Sequence, residues 1–372
     1  MRLLMSIPLG LLLAGCLSRS SAPPHTGDTA EFGVSHCGEV SGEEVWDVSA
    51  PHVLSCDVTV TGHLTLDPGV EVYAHRGTAL RVDGGRLVAL GAPGAEIRLQ
   101  SVEDTPLAGD WVGLVADSAD LQLAWVTVSH GGRDGAVVAL TEGTAAATEL
   151  TLSHSISTGL YATGTTFETL QGLHIDAAPT PLELPWTAAE VLGEVSFESV
   201  GTEAIVLGGS SLTDVVTLPA QPYPYRTYGL TVDKGGQLTV EDGVELLVGG
   251  DVVFASGTNQ LTGVSVRFDD ETGLTLAGGS LSVDESFFGH DDQAAGAWRG
   301  ITASAGELSV VDSTIAYGGA DGGANLTVSV AATITGNTIR DSEGWGIWIE
   351  GKVTPTIEGN TYENNVLGDV GP

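Results

Sequence analysis

The stretch Asn337-Thr-Ile-Arg-Asp-Ser-Glu-Gly-Trp-Gly-Ile-Trp-Ile-Glu-Gly351 has a weaker copy 187 residues earlier, Leu150-Thr-Leu-Ser-His-Ser-Ile-Ser-Thr-Gly-Leu-Tyr-Ala-Thr-Gly164. At that shift Thr338, Ser342, Gly346 and Gly351 meet identical residues. The same shift lays Gly109-Asp-Trp-Val-Gly-Leu114 on Gly296-Ala-Trp-Arg-Gly-Ile301, and Gly131-Gly-Arg-Asp-Gly135 on Gly318-Gly-Ala-Asp-Gly322. No gap is needed from Gly109 to Gly164, so the chain carries a long module twice.

Further back the offset changes. Adding 174 takes Val58 to Val232, Gly62 to Gly236, Leu64 to Leu238 and Gly69-Val-Glu71 to Gly243-Val-Glu245. The difference, 187 − 174 = 13, means that the second copy carries extra residues within 251–296. Extras of this kind are expected in a loop on one face of a repeat array. The division that follows is 1–15 signal peptide, 16–36 lipidated cysteine and tether, 37–210 N-terminal cap and first half, and 211–372 second half.

A shorter period runs inside each copy. Val126-Thr-Val128, Leu150-Thr-Leu152, Leu173-His-Ile175 and Val195-Ser-Phe197 start at steps of 24, 23 and 22 residues, while Ser313-Thr-Ile315, Asn337-Thr-Ile339 and Asn360-Thr-Tyr362 step by 24 and 23. About ten residues after most of them comes a second apolar alternation, such as Leu160 to Ala162 or Ile347 to Ile349. Two or three short strands per unit bury no core alone, but stacked units do. Leucine-rich repeats have a similar length, yet their fixed asparagine or cysteine does not recur.

The pattern resembles the right-handed parallel β-helix of the pectate-lyase-like superfamily. The residues that carry the likeness are Leu64-Thr-Leu-Asp-Pro-Gly-Val-Glu-Val72, Trp111-Val-Gly-Leu114, Trp298-Arg-Gly-Ile301 and the Asn-Thr-Ile and Gly-Ile-Trp-Ile units. It implies an all-β solenoid of roughly 22–24-residue coils built from two similar halves. Val128, Leu152 and Ile175 are then expected to point inward, one above the next. The activity motifs of pectate lyases and polygalacturonases cannot be laid onto this chain; Gly289-His290-Asp291-Asp292 and Arg340-Asp341 are fragments without their partners.

Composition agrees. Of 372 residues, 42% are hydrophobic, only 16% are charged and 52 are glycine, with a mean hydropathy of +0.18, which suits short strands and tight turns better than amphipathic helices. The balance of 48 acidic against 13 basic residues gives a formal charge of −35. Such a chain repels nucleic acid and anionic headgroups, and favours cations, neutral glycans or protein partners.

The beginning reads as a processing signal. Arg2, the apolar run Leu3 to Leu13 and the small-residue site Leu13-Ala14-Gly15-Cys16 resemble a bacterial lipobox. The resemblance implies acylation of Cys16, cleavage before it, and anchoring at the cell envelope; Leu17 in the next position points to an outer membrane or cell surface. The Ser-, Pro- and Thr-rich stretch from Ser18 to Ala30 then forms a tether. Cys37 and Cys56 remain as an even pair in an exported chain, and a disulfide between them is expected.

Four sets of residues are candidates for chemistry. His130 and His154 occupy the same place in successive coils, but their counterparts in the second copy are Tyr317 and Asp341, so a solvated turn ladder is the simpler reading than a metal site. Asp269, Asp270, Glu271, Asp291 and Asp292 offer the oxygen ligands of a calcium site without any known calcium spacing; otherwise no cofactor is implied. Alternation puts Tyr161 and Trp348 outward, where rings can stack on sugars or anchor a protein. Trp111 and Trp298 are assigned to structure. The expectation is a non-catalytic, acyl-anchored β-helix that binds a neutral glycan or a protein, with a carbohydrate-active enzyme using an unrecognised carboxylate pair as the alternative.

Overall fold

The computed structural model describes residues 33–372, which form one compact unit. The expected signal peptide, Cys16 and the expected tether as far as residue 32 lie outside the described residues. No helix among the described residues is long and apolar enough to cross a membrane.

The described chain is an all-β parallel solenoid of about 15 turns with coils about 23 residues apart. Helix is confined to two short 3-10 segments, Trp186–Val191 and Ala320–Gly322. Every ladder between named strands is parallel. Each coil makes three strand passes, and the alternation of side chains puts one set of residues into a single apolar interior. Val128 pairs with Leu152, and Leu152 with Ile175, and all three are fully buried. The expected inward column therefore exists, and coiling already starts at Val34.

Three faces run along the first half. One carries residues 34–36, 52–54, Glu71–Ala74, Ile97–Ser101, 126–129, 150–153 and 173–176, and ends at Val195–Glu198. A second carries Ala79–Asp83, Gly113–Asp117, Ala136–Thr141, Thr158–Thr163, Thr180–Pro185 and Ile205–Gly208. This second face crosses into the other half without a break, through Tyr225–Thr227, Glu245–Val248 and Ser265–Phe268 to Thr338–Arg340 and Thr361–Glu363.

That continuity has an unexpected result. By the 187-residue offset, 126–129 corresponds to 313–316, yet the first set ends with the terminated face and the second lies on the continuous one. Ala136–Thr141 lies on the continuous face, while Ala324–Val328, the counterpart of its residues 137–141, belongs to a ladder that begins only at Ser211–Leu212. The second copy is thus displaced by one face with respect to the first. Stacking follows the spatial ladder and not the sequence repeat, because a strand needs a hydrogen-bonding neighbour of any origin.

The extra residues do not form a loop, as the offset had suggested. They complete an additional coil, made by Ser265–Phe268 and Leu274–Asp284. A further coil satisfies its backbone groups in the ladder and buries its apolar residues Val266, Phe268, Leu276 and Val283, which a surface loop of this composition would leave wet.

The repeat is kept by a few corner residues. Trp111 and Trp298 are fully buried, and their indole N–H groups donate to the carbonyls of Ser129 and Ala316 at 2.8 Å in both cases, at positions that differ by 187. The glycine two residues on must be glycine: a Cβ at Gly113 would lie 2.3 Å from the Val137 carbonyl oxygen, and one at Gly300 2.3 Å from that of Ala324. A polar column closes another corner. The backbone N–H of Ser286 donates to Ser313 Oγ, that of Ser313 to Asn337 Oδ1 and that of Asn337 to Asn360 Oδ1.

At the first coils, Cys37 and Cys56 form the expected disulfide. It joins Val34–Val40 to His52–Val60 where their register slips. The segment it holds is itself a coil, with Trp46 as its buried plug, and not a separate lid laid across the end.

Candidate functional site

A groove opens where the two halves join. Val195–Glu198, the last strand of its face, pairs only with 173–176 and leaves its other edge without a strand partner. The proline-rich segment 219–224 runs past that edge. Tyr223 stacks on Phe197 with ring centroids 4.2 Å apart and its hydroxyl accepts from the Phe197 N–H at 3.0 Å, while the Gln221 amide donates to the Leu192 carbonyl. Beside this segment lies an open groove of about 560 Å³, lined by Glu149, His174, Glu194, Ser196, Gln221 and Pro222 among others.

Glu149, Gly172 and Glu194 are successive rungs of one column, each just before the paired residues Leu150, Leu173 and Val195. The Glu149 side chain extends over Gly172, where a Cβ would meet its Oε1 at 2.8 Å. His174 Nδ1 and Ser196 Oγ lie 2.9 Å apart on the wall. The residue before each apolar triplet at 150, 173 and 195 was readable in the short period, but nothing marked that column as a groove, since the termination of the face is not visible in the sequence.

The acidic residues of 269–271 and 291–292 follow Ser265–Phe268 and Phe287–Gly289, paired strands of adjacent coils, so they share one corner. Only two of them meet: Asp270 and Asp292 gather with His290, their ligand atoms all within 4.8 Å of one another. Asp269 pairs instead with Arg226 at 2.6 Å, Asp291 with Arg267 at 2.6 Å, and Glu271 is exposed in a left-handed turn. His290 Nδ1 accepts from the Asp292 N–H at 3.0 Å, which leaves the ring proton on Nε2, facing Asp270 Oδ1 at 3.1 Å. In this arrangement the imidazole has no lone pair to offer, and a cation here would be held by the two carboxylates alone.

His130 and His154 stack with centroids 4.5 Å apart and planes at 22°. Both have positive φ, as do Ala177 and Ser199 above them, and Tyr317, Asp341 and Asn364 in the second copy. The row is a left-handed corner, a conformation that histidine, asparagine and aspartate tolerate. Near-parallel rings aim their lone pairs side by side and cannot converge on one ion. Burial, reinforced by the neighbouring His154 and opposed by Asp110, holds His130 below the usual imidazole range.

Tyr161 is half-buried, between Ala139 and Glu183 on the continuous face. Burial raises the Glu183 carboxyl above its ordinary range. Trp348 is also half-buried and has a companion that the sequence did not single out, Trp345, at 6.0 Å and 44°. Both indoles lie against the glycine backbone of Gly368–Gly371: a Cβ at Gly371 would sit 2.6 Å from Trp348 Cε3 and 2.8 Å from Trp345 Cδ2. The Gly-x-x-Gly spacing of that last strand was the available signal.

The family model described as right handed beta helix region matches residues 227–370. No curated protein and no solved structure matches the chain. The matched residues cover most of the second half, and the ladder there is continuous with that of the first, which fixes the handedness of the whole winding. The chain is a right-handed parallel β-helix repeat protein.

Proposed function

We propose that this protein is a non-catalytic scaffold of a bacterial cell envelope, held there by an acyl chain on Cys16, which binds a neutral glycan or a protein partner on its outer strand faces. The observation that carries the reading is the pair Trp345 and Trp348, half-buried indoles 6.0 Å apart with planes at 44° that both pack on a glycine strand, with no bulky side chain beneath them. Aromatic faces of this kind pack against the C–H faces of sugar rings or against apolar side chains. The excess of acid over base disfavours polyanionic ligands. A glycan array paired with a reducing-sugar assay tests it: binding without release of product, lost in Trp348→Ala, is the expected result, and neither binding nor turnover rejects it.

One observation favours the enzymatic alternative. Glu183, with its carboxyl raised by burial, lies one coil from Tyr161, and a raised carboxyl beside an aromatic ring suits a general acid on a sugar. Turnover abolished by Glu183→Gln would establish that reading in place of the first.

A further inference from the structure

The groove at the join differs in chemistry from the ring platform. Its size of about 560 Å³ falls within the ~300–1,000 Å³ of small-molecule clefts. No lysine or arginine lines it, and neither Glu149 nor Glu194 has a hydrogen bond or ion pair to its carboxylate. On the continuous face some acids do find basic partners, as Asp269 does in Arg226 and Glu245 in Arg267. The two unmatched glutamates spring from rungs two apart, roughly 10 Å at the backbone, and the Glu149 side chain reaches over Gly172 toward Glu194.

We infer that the groove binds a linear aliphatic polyamine. Two ammonium groups joined by methylenes would place one charge at Glu149 and one at Glu194, each as a charge-assisted hydrogen bond, while the methylene chain lies along Ala220 and Pro222. Ser196 and His174 offer neutral hydrogen-bonding groups between the ends. The charge of −35 raises the local concentration of any cation but supplies no site of its own. The inference is independent of the glycan reading, because it uses other residues and another ligand.

Calorimetric titration of the full chain in neutral detergent at physiological salt, with spermidine as ligand and butylamine as the single-charge control, tests it. One saturable site for spermidine is expected, with butylamine far weaker. Glu149→Gln and Glu194→Gln, both exposed and so free of folding consequences, should each weaken binding about tenfold or more. Asp104→Asn, exposed and outside the groove, should leave it unchanged. Absence of a saturable site, unaltered affinity in the two glutamine variants, or an equal loss in Asp104→Asn would each overturn the proposal, the last by showing a diffuse field in place of a site.

Discussion

Asn337 shows how much a single side chain does in this fold. It is fully buried; its Oδ1 accepts from the Ser313 N–H at 2.9 Å, and its Nδ2 donates to the Val310 carbonyl at 2.8 Å. Asn337→Ala removes both partners without removing the groups they serve, at a cost of about 1–3 kcal/mol for each orphan. Chemical denaturation should show a loss in that range, and Asn337→Asp, which keeps the acceptor, should lose less at low pH than at neutral pH. Two histidines set a pH limit at the same scale. His36, stacked on Trp46 at 4.1 Å, is held below 6.5 by burial and by His52 against the pull of Glu44, and His130 is held down by burial and by His154. The unfolded chain takes up protons at these positions near pH 6.5, before the folded chain does. Stability is therefore full above about pH 6.5 and falls as the pH drops through the folded values. Thermal melting followed from about pH 7.5 to pH 5 should show that decline, and His130→Asn, which tolerates the left-handed corner, should reduce it.

The scale of the element is governed by the inward column and its end. Leu152→Asp places a charge in the middle of a dry stack between Val128 and Ile175, and a loss of about 4 kcal/mol or outright failure to fold is expected in urea titration. The disulfide acts differently. Cys37 and Cys56 close a loop of 19 residues, so Cys56→Ser should cost about 3 kcal/mol by loop entropy. In a stacked array that loss appears first as fraying of the coils up to Leu66, visible as faster amide exchange there than in the column at 150–153. These elements were legible in the sequence because their signals are local: the apolar triplets, the Trp-x-Gly corners and the even cysteines each state their own role. The groove and the indole pair were not. Glu149 and Glu194 are unremarkable exposed acids until a face ends beside them, and Trp345 gains a role only from glycines a coil away. Likewise His290 joined two of the five predicted acids because a corner brought it there, while Arg226 and Arg267 drew two others off.

The whole molecule rests on one arrangement, a continuous face that joins two copies of a module displaced from each other by one side of the coil. Its expected consequence is that the repeat in sequence and the repeat in space disagree across the join, with Val206 beside Arg226 as parallel partners. The most direct measurement is disulfide trapping in the Cys16→Ser chain carrying Val206→Cys and Arg226→Cys. Rapid, near-complete cross-linking under mild oxidation is predicted, since parallel rungs about 4.8 Å apart suit a disulfide. No cross-link at this pair in a folded protein would contradict the continuous face, and with it the groove and the placing of every residue beyond the join.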